Sequence, residues 1–308
     1  MKSLKLTAAL GLCLALVLNL FAMWQAHQLV TNPAEARRPL DQTPADFGLD
    51  YLDVQVTSSD GFTLSGWFIE SRNGAVILMQ HGYKWDRMGH LEEAFMLSRA
   101  GYGVLVMSVR SHDVNPGERI TFGVEEMKDL DAWYRLAREL PGVDPERVGI
   151  IGDSLGGSLA IQYAAANEGI AAVVAHSAFS SLQDTIETSI RHFTGLPPFP
   201  FAPMISFWAE QETGIDIGAI DAKRWIAEIS PRPVFIIHSL DDQVISPSSG
   251  ELLFAAAREP RELWLEHGIE HAGFDTALPE EFERRIVAFF DKALLAGELS
   301  LAAATLSP

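Results

Sequence analysis

The fold of this chain is decided by the stretch Arg147-Val148-Gly149-Ile150-Ile151-Gly152-Asp153-Ser154-Leu155-Gly156-Gly157. A short run rich in Val and Ile leads into a Gly-x-Ser-x-Gly turn, and a helical pattern follows over residues 155–166. In this order of strand, tight turn and helix, the serine is held in a strained conformation that exposes its hydroxyl group. Glycines suit the turn because larger side chains would collide with the strand and the helix that it joins. The stretch therefore predicts Ser154 as a nucleophile and directs the Leu155 N–H at the oxyanion that would form.

Short apolar runs alternate with helical patterns over most of the chain. The turn Ser59-Asp60-Gly61 predicts a hairpin between the first two runs. Strands are predicted at residues 52–58, 62–70, 75–80, 102–108, 148–152, 171–175, 234–238 and 262–265, and helices at 90–99, 124–139, 155–166, 249–258 and 279–295. Strands that are separated by helices and rich in Val and Ile indicate an α/β fold with a mostly parallel central sheet and right-handed crossovers.

A serine hydroxyl needs a base that takes its proton and a carboxylate that orients the base. Asp241 and Asp242 follow the apolar run 234–237, and His271 follows the run near residue 264. Carboxyl ends of parallel strands are where catalytic groups collect in open α/β sheets. His267 is a rival base four residues before His271, and the position in the loop favours His271. At this stage the choice between Asp241 and Asp242 stays open.

These motifs together resemble the α/β-hydrolase fold, and within it the bacterial membrane-anchored hydrolases grouped with serine aminopeptidase-like and acyl-hydrolase-like members. The resemblance covers residues 49–296. It rests on Asp60-Gly61, Leu64-Ser65-Gly66-Trp67, His81-Gly82-Tyr83, the segment from Gly152 to Gly157, the Asp241-Asp242 loop and His271.

The resemblance implies further roles. The His-Gly-x segment of that family supplies the second oxyanion donor, which implies that the Tyr83 N–H pairs with the Leu155 N–H. The acid of the family follows His-Gly-x-x-Asp, and counting from His238 implies Asp242. This sequence departs from the family pattern at Ser239, where glycine is usual, and in Arg110-Ser111-His112-Asp113, where the family commonly has Arg-Gly-His-Gly.

The first thirty residues carry a long uncharged run. Residues 6–24 contain only Thr7 and Asn19 as polar side chains, and a helix of this length nearly matches the hydrocarbon core of a bilayer. The sequence predicts an uncleaved transmembrane anchor. Lys2 and Lys5 favour a cytoplasmic N-terminus and an exported catalytic domain. The alternative is a signal peptide cleaved after Ala34-Glu35-Ala36, which would release a secreted or periplasmic protein.

The predicted organisation of the chain follows from these patterns. It comprises an anchor or signal sequence (1–30), a tether (31–48), an α/β-hydrolase domain (49–298) with a cap insertion at about 178–230, and a C-terminal tail (299–308). Because the catalytic motifs all follow Leu49, a chain that begins near Asp41 is expected to keep its activity.

Composition excludes several classes of protein. Of 308 residues, 48 % are hydrophobic and 21 % are charged, which excludes a wholly disordered chain. The net charge is −18, and because residues 1–38 hold four basic residues against Glu35 alone, the rest carries −21. Such a negative body argues against a nucleic-acid partner. The single cysteine, Cys13, excludes an intramolecular disulfide and a Cys-based zinc site.

No metal or cofactor is predicted. His81, His90 and Asp86 have no defined metal-ligand spacing, and the glycines around Ser154 do not match Gly-x-Gly-x-x-Gly.

The cap insertion is rich in aromatic residues, and an apolar acyl substrate would suit them. The candidate binding residues are Phe199, Phe201, Phe207 and Trp208. The sequence predicts a serine hydrolase of esters or thioesters. One alternative is an aminopeptidase-like enzyme that binds a substrate amine through Glu187, Glu210 or Glu212, and another is a non-catalytic binding protein on the same fold.

Overall fold

The computed structural model describes residues 2–296, so the predicted C-terminal tail lies outside the described residues. Eight strands form one sheet: β1 (Leu52–Thr57), β2 (Thr63–Ile69), β3 (Val76–Gln80), β4 (Gly103–Met107), β5 (Val148–Asp153), β6 (Ala172–His176), β7 (Val234–Ser239) and β8 (Arg261–Glu266). Each coincides with a predicted strand to within two residues at either end. Val, Ile and Leu dominate the central strands because both faces of the sheet are covered.

Helices cover the two faces of the sheet and build the cap. They are α1 (Lys2–Val30), α2 (Leu91–Arg99), α3 (Glu126–Glu139), α4 (Leu155–Ala166), α5 (Leu182–Thr194), α6 (Pro198–Thr213), α7 (Ala222–Ile226), α8 (Ser249–Ala256), α9 (Phe274–Ala277) and α10 (Pro279–Phe290), which continues as a short π-helix (Asp291–Leu295). The predicted cap interval, residues 178–230, contains α5, α6 and α7.

The strand order is β1-β2-β4-β3-β5-β6-β7-β8. β1 and β2 form an antiparallel hairpin, β2 also pairs antiparallel with β4, and all other neighbours are parallel. Alternate side chains of β3 enter two different apolar layers: Val76 and Leu78 join one, Ile77 and Met79 the other. The α/β fold with a mostly parallel sheet is therefore confirmed, and the carboxyl ends of β3, β5, β7 and β8 meet at one edge.

Helix α1 is long and apolar enough to cross a membrane. Residues 5–17 are all exposed, whereas Ala22, Ala26 and Val30 are fully buried. These three residues are four apart and lie on one face of the helix, which packs against α6 and the loop before α3. The last third of α1 is thus part of the folded body.

Residues 31–38 differ from the expected tether because they are tied to the domain by hydrogen bonds. The Asn32 side chain is buried and donates to the Ser111 carbonyl at 2.7 Å. The Arg37 guanidinium donates to the Asn115 carbonyl at 2.5 Å and to the Gly117 carbonyl. Sequence composition predicts a linker here, but the hydrogen bonds of Asn32 and Arg37 hold this segment against the domain.

Candidate active site

One cavity of about 550 Å³ lies at the carboxyl edge of the sheet, under the cap. Ser154 and His271 both line it, together with Tyr83 and Leu155. The other lining residues are Gln25, Gln28, Leu29, Lys84, Trp85, Phe122, Phe179, Leu182, Thr185, Ile186, Ser189, Ile190, Phe193, Thr194, Ile205, Val244 and Ile245. The cavity therefore joins the candidate nucleophile and base to a mostly apolar chamber.

Ser154 sits between the end of β5 and the start of α4 in a strained backbone conformation, with φ 56° and ψ −117°. The turn is tight: a Cβ on Gly156 would lie 2.1 Å from the Gln80 carbonyl oxygen, and one on Gly152 would lie 2.3 Å from the Gly156 oxygen. Only glycine allows strand and helix to approach this closely. The Ser154 N–H donates to the His176 carbonyl at 2.8 Å, which fixes the turn to β6.

The structure brings Asp242 to His271 across 29 residues of sequence. The His271 Nδ1–H donates to Asp242 Oδ2 at 2.6 Å, and the Val244 and Ile245 N–H groups donate to Asp242 Oδ1 at 2.9 Å each. Burial of Asp242 opposes ionisation, but the hydrogen bond from His271 and these N–H groups hold the pKa of the carboxyl below its usual value. A carboxylate at Nδ1 leaves His271 Nε2 available on the cavity side.

The two rival residues pair with each other instead. Asp241 Oδ2 accepts hydrogen bonds from His267 Nδ1 at 3.2 Å and from the Gly268 N–H at 2.7 Å. Both side chains are more than half exposed. This second acid–histidine pair lies on the surface and does not line the cavity, so the geometry favours the buried pair as the catalytic one.

Ser239, which replaces the glycine of the family pattern, connects the acid loop to the histidine loop. Its hydroxyl donates to the Ile269 carbonyl at 2.5 Å and accepts from the Asp241 N–H at 3.1 Å. On the other side of the histidine, the Ala272 N–H donates to Ser177 Oγ at 3.1 Å. These contacts fix the spacing between Asp242 and His271, and sequence reasoning alone did not find them.

The loop after β3 holds Tyr83 against the nucleophile turn. A Cβ on Gly82 would lie 3.4 Å from the Ser154 Cβ, so this loop and the turn are in contact. His81 Nδ1 lies 2.9 Å from the Gly82 carbonyl and its Nε2 lies 3.1 Å from Ser108 Oγ. Complete burial lowers the pKa of His81 well below its usual value, so a neutral ring orders the loop. Leu155 is the first residue of α4, where amide groups lack an acceptor within the helix. Both predicted oxyanion donors thus border the cavity.

The four aromatic residues proposed from sequence as substrate contacts do not line this cavity. Phe199 is 80 % exposed and Phe207 is 51 % exposed. Phe201 packs edge-on against Phe21 of α1, and Trp208 Nε1 donates to Asn19 Oδ1 at 3.0 Å. Helix α6 turns these rings toward α1 and the surface. The apolar wall consists instead of residues of α5 and of the loop before it, such as Phe179, Ile186, Ile190 and Phe193, with Ile205 of α6.

The three carboxylates proposed as amine ligands are also directed elsewhere. Glu187 accepts from the Gln183 amide at 3.0 Å, Glu210 accepts from the Ile217 N–H at 3.0 Å, and Glu212 lies 2.8 Å from His27 Nδ1. Among the described residues that line the cavity there is no Asp or Glu.

A buried cluster of four ionisable residues lies behind the nucleophile turn. His90 Nδ1 is hydrogen-bonded to Glu93 Oε2 and lies 3.7 Å from Asp153 Oδ2, and His176 Nδ1 lies 3.0 Å from Asp153 Oδ1. Burial of His90 opposes its protonation, but the Glu93 and Asp153 carboxylates outweigh this effect and raise the pKa of His90 to about 10. The ligand atoms of His90, Glu93 and Asp153 lie within 4.8 Å of one another. The hydrogen bond between His90 and Glu93 and the proximity of Asp153 already pair these charges with one another.

This cluster predicts a loss of stability at alkaline pH. Because the folded pKa of His90 is raised, its contribution to stability is full below the unfolded value near 6.5 and is lost as the pH rises through about 10. We expect the thermal midpoint of the wild type to fall over this interval, and the fall to be shallower in the variant His90→Asn/Glu93→Gln. Scanning calorimetry at several pH values measures it. His267→Asn, which alters the exposed pair, is the control, and a double variant that kept the wild-type pH profile would contradict the assignment.

Comparison with known proteins assigns the chain to a family. Residues 92–296, more than half of the chain, match the model of the prolyl oligopeptidase family. An uncharacterized protein of Mycobacterium tuberculosis, MT2364, is 30 % identical over 227 residues, which cover 71 % of this chain and 72 % of that protein. The alpha/beta hydrolase domain-containing protein WAV2 of Arabidopsis thaliana is 26 % identical over 73 % of both chains.

Solved structures agree with the fold. The structure of the esterase Pf2001 of Pyrococcus furiosus superposes with a TM-score of 0.73 at 24 % identity, covering 86 % of this chain and 98 % of that one. The resemblance to the α/β-hydrolase fold is thereby confirmed. The family match over residues 92–296 identifies an enzyme rather than a non-catalytic binding protein. The chain belongs to the prolyl oligopeptidase family and is a serine hydrolase of the α/β-hydrolase fold.

Proposed function

We propose that the protein cleaves carboxylic ester or thioester bonds of substrates with an apolar acyl group, through an acyl-enzyme formed on Ser154. The observation that carries this proposal is the chamber beside Ser154, whose walls are mostly aliphatic and aromatic and lack a carboxylate among the described residues. A chamber of about 550 Å³ is of the size that ordinary ligand pockets have.

The reaction would proceed in two halves. Ser154 Oγ attacks the acyl carbonyl while His271 Nε2 takes the hydroxyl proton, and the Tyr83 and Leu155 N–H groups stabilise the oxyanion. His271 then donates this proton to the leaving alcohol or thiol, which leaves the acyl group on Ser154. Water attacks the acyl-enzyme while His271 takes its proton, and His271 returns this proton to Ser154 Oγ as the bond to the acyl group breaks and the acid is released. Asp242 keeps the imidazole in the Nδ1–H tautomer and stabilises its cationic form.

The peptidase alternative is favoured by the name of the family, whose members include oligopeptidases. A serine aminopeptidase needs an anion near the substrate amine. Glu187, Glu210 and Glu212 each have another partner, and Lys84 brings a positive charge to the cavity instead. These contacts support ester hydrolysis over aminopeptidase activity.

We further propose that α1 anchors the protein in a membrane, with the catalytic domain on the exported side. The exposed, uncharged residues 6–17 support this placement, because they would otherwise contact water along their whole length. The buried residues Ala22, Ala26 and Val30 support retention of the helix in the mature protein.

The acyl chamber predicts a dependence on acyl length. With soluble acyl esters of graded length, kcat/KM is expected to rise about fourfold per added methylene, from ~0.8 kcal/mol per buried CH₂. Phe193→Ala should reduce this gain, because Phe193 lines the cavity. Phe199→Ala removes an equal side chain six residues away that does not line the cavity, so it should keep the wild-type slope.

Steady-state kinetics on the ester series, together with matched aminoacyl amides, measure this dependence. A flat response to acyl length combined with a strong preference for a free α-amine would reject the ester proposal in favour of the peptidase alternative.

A further inference from the structure

Helix α1 and cap helix α6 lie side by side next to the active-site cavity. Trp208 donates to the Asn19 side chain at 3.0 Å, and Phe201 packs on Phe21 with ring centroids 5.8 Å apart. Farther along the helix, His27 lies 2.8 Å from Glu212. Contact between the two helices thus begins at about residue 19 and continues to the end of α1.

If α1 spans the bilayer over its full thickness, α6 must also reach the bilayer, because α6 packs against the second half of α1. A hydrocarbon core of ~30 Å takes about 20 helical residues at ~1.5 Å each, so a span that begins after Lys5 ends near residue 25. Residues 5–17 stand clear of the protein, which accounts for only about 20 Å. The remaining depth belongs to the part of α1 that packs against α6. The hydrogen bond from Trp208 also satisfies Asn19, which would otherwise be an unpaired polar group at membrane depth.

Large aromatic side chains are exposed around this junction. Trp24, Phe199 and Phe207 are 56 %, 80 % and 51 % exposed, and we call these three residues the aromatic rim. Exposed rings of this size are unfavourable in water, whereas aromatic residues are enriched where a membrane protein crosses the headgroup region. Residues 39–308 carry a net charge of −21, so anionic lipids would repel the domain rather than hold it at the membrane. The aromatic rim is instead suited to insert its apolar rings into a neutral bilayer.

The cavity opens beside the same junction. Gln25, Gln28 and Leu29 of α1 form one of its walls. The exposed rings of Phe193 and Trp85 also line it, 69 % and 53 % exposed. Since residue 25 is where the span would end, the cavity mouth lies at the level of the bilayer surface.

We propose that the substrate is an acyl ester dissolved in the bilayer, a lipid-like amphiphile whose chain enters the cavity directly from the membrane past α1 and the cap. This inference rests on the proposed ester hydrolysis and on α1 as the anchor. The aromatic rim docks the cap on the membrane, and the α1 wall guides the acyl chain from the bilayer to Ser154.

The test uses full-length protein reconstituted into phosphatidylcholine vesicles. A long-chain fluorogenic ester that does not exchange between vesicles is placed either in the same vesicles as the enzyme or in separate ones. We expect hydrolysis in the shared vesicles to exceed that across separate vesicles by about tenfold or more, because each buried methylene of a long chain strengthens its retention in the bilayer. Equal rates in the two arrangements would overturn the proposal.

Variants of the aromatic rim test its role. Phe199→Glu and Phe207→Glu should each lower hydrolysis of the long-chain ester in shared vesicles by about tenfold, because a charge replaces an apolar ring on the side of the cap that faces the membrane. Hydrolysis of a short, water-soluble ester should stay at the wild-type rate. Leu252→Glu is the matched control, since Leu252 is 43 % exposed on α8. Equal losses in all three variants would contradict a specific docking surface.

A spectroscopic measurement is independent of activity. In a Cys13→Ser background, a polarity-sensitive dye is attached at Phe207→Cys or at Leu252→Cys. Quenching by spin-labelled phosphatidylcholine is expected at the first position and not at the second, and equal quenching would overturn the proposal.

The soluble ester separates the two levels of inference. If the wild type does not hydrolyse it, the proposed function is wrong. If it is hydrolysed but the long-chain ester shows no preference for shared vesicles, only the membrane supply of substrate is wrong.

Discussion

Replacement of Ser154 by Ala should lower kcat on a soluble ester by on the order of 10³-fold or more. The expected loss is large because the strained turn between β5 and α4 presents the Ser154 hydroxyl to the cavity that His271 also lines. The oxyanion donors and the acyl chamber are untouched, so a small residual rate over water should remain. Labelling by a fluorophosphonate should be abolished, and this readout does not depend on the choice of substrate.

Ser189→Ala provides the matched control. Ser189 lines the same cavity, but its hydroxyl donates to the Val244 carbonyl at 3.0 Å. Its proton is therefore directed at the backbone and not at a histidine. We expect its loss to cost less than about tenfold, the scale of one neutral hydrogen bond. Near-normal turnover and full labelling of the Ser154 variant would refute the assignment of the nucleophile.

The second large effect concerns the adjacent carboxylates. Asp242→Asn should lower kcat by on the order of 10³–10⁴-fold, because an amide at this position favours the wrong tautomer of His271 while it preserves the shape of the site. Asp241→Asn should stay within about tenfold, because Asp241 is exposed and pairs with His267. Pre-steady-state and steady-state kinetics on both variants measure this difference.

The pair of variants controls itself, since both introduce the same change at neighbouring positions of one loop. If Asp241→Asn proved the more damaging, the orienting role would belong to Asp241 and the exposed His267 would have to be reconsidered as the base.

The strands and the nucleophile turn could be predicted because their signals are local. The run 234–237 is short, follows Pro233 and is rich in β-branched residues, which favours a buried strand over a helix. Gly152 and Gly156 stand where the backbone itself leaves no room for a side chain. Chain order then predicts which loops lie at the carboxyl edge of the sheet.

The faces of the cap helices could not be predicted in the same way. Phe193 and Phe199 are the same residue type six positions apart, yet of these two only Phe193 lines the cavity. The difference arises because packing against α1 sets the orientation of α6. The sequence also did not reveal the buried cluster of ionisable residues. His90 precedes α2 and Glu93 lies in its first turn, whereas Asp153 and His176 end strands β5 and β6. Only the tertiary fold brings these four together.

Departures from the family pattern show how a backbone shape is retained without glycine. Ser111 and Asp113 stand where the family commonly has glycine, and both adopt a left-handed conformation, with φ 60° and 55°. The strain is offset by buried contacts: Ser111 Oγ donates to the Arg119 carbonyl at 2.6 Å, and Asp113 pairs with Arg87. A motif search that required glycine would have rejected a loop of the same shape.

The hydrogen-bonded segment that follows α1 limits when a peptidase could cleave the chain there. Residues 34–36, the candidate cleavage site, form a short 3-10 turn flanked by the bonds of Asn32 and Arg37 to the domain. A leader peptidase requires an extended chain, so the folded protein withholds this bond from it. Any processing would have to finish before the domain folds, and the product would lack the wall formed by Gln25, Gln28 and Leu29. A chain that begins near Asp41 would lack the same wall, so the expectation from sequence that it keeps its activity is at odds with this cavity. Cleavage after Ala36 would therefore remove part of the substrate cavity, which supports the proposal that the leader is retained in the enzyme.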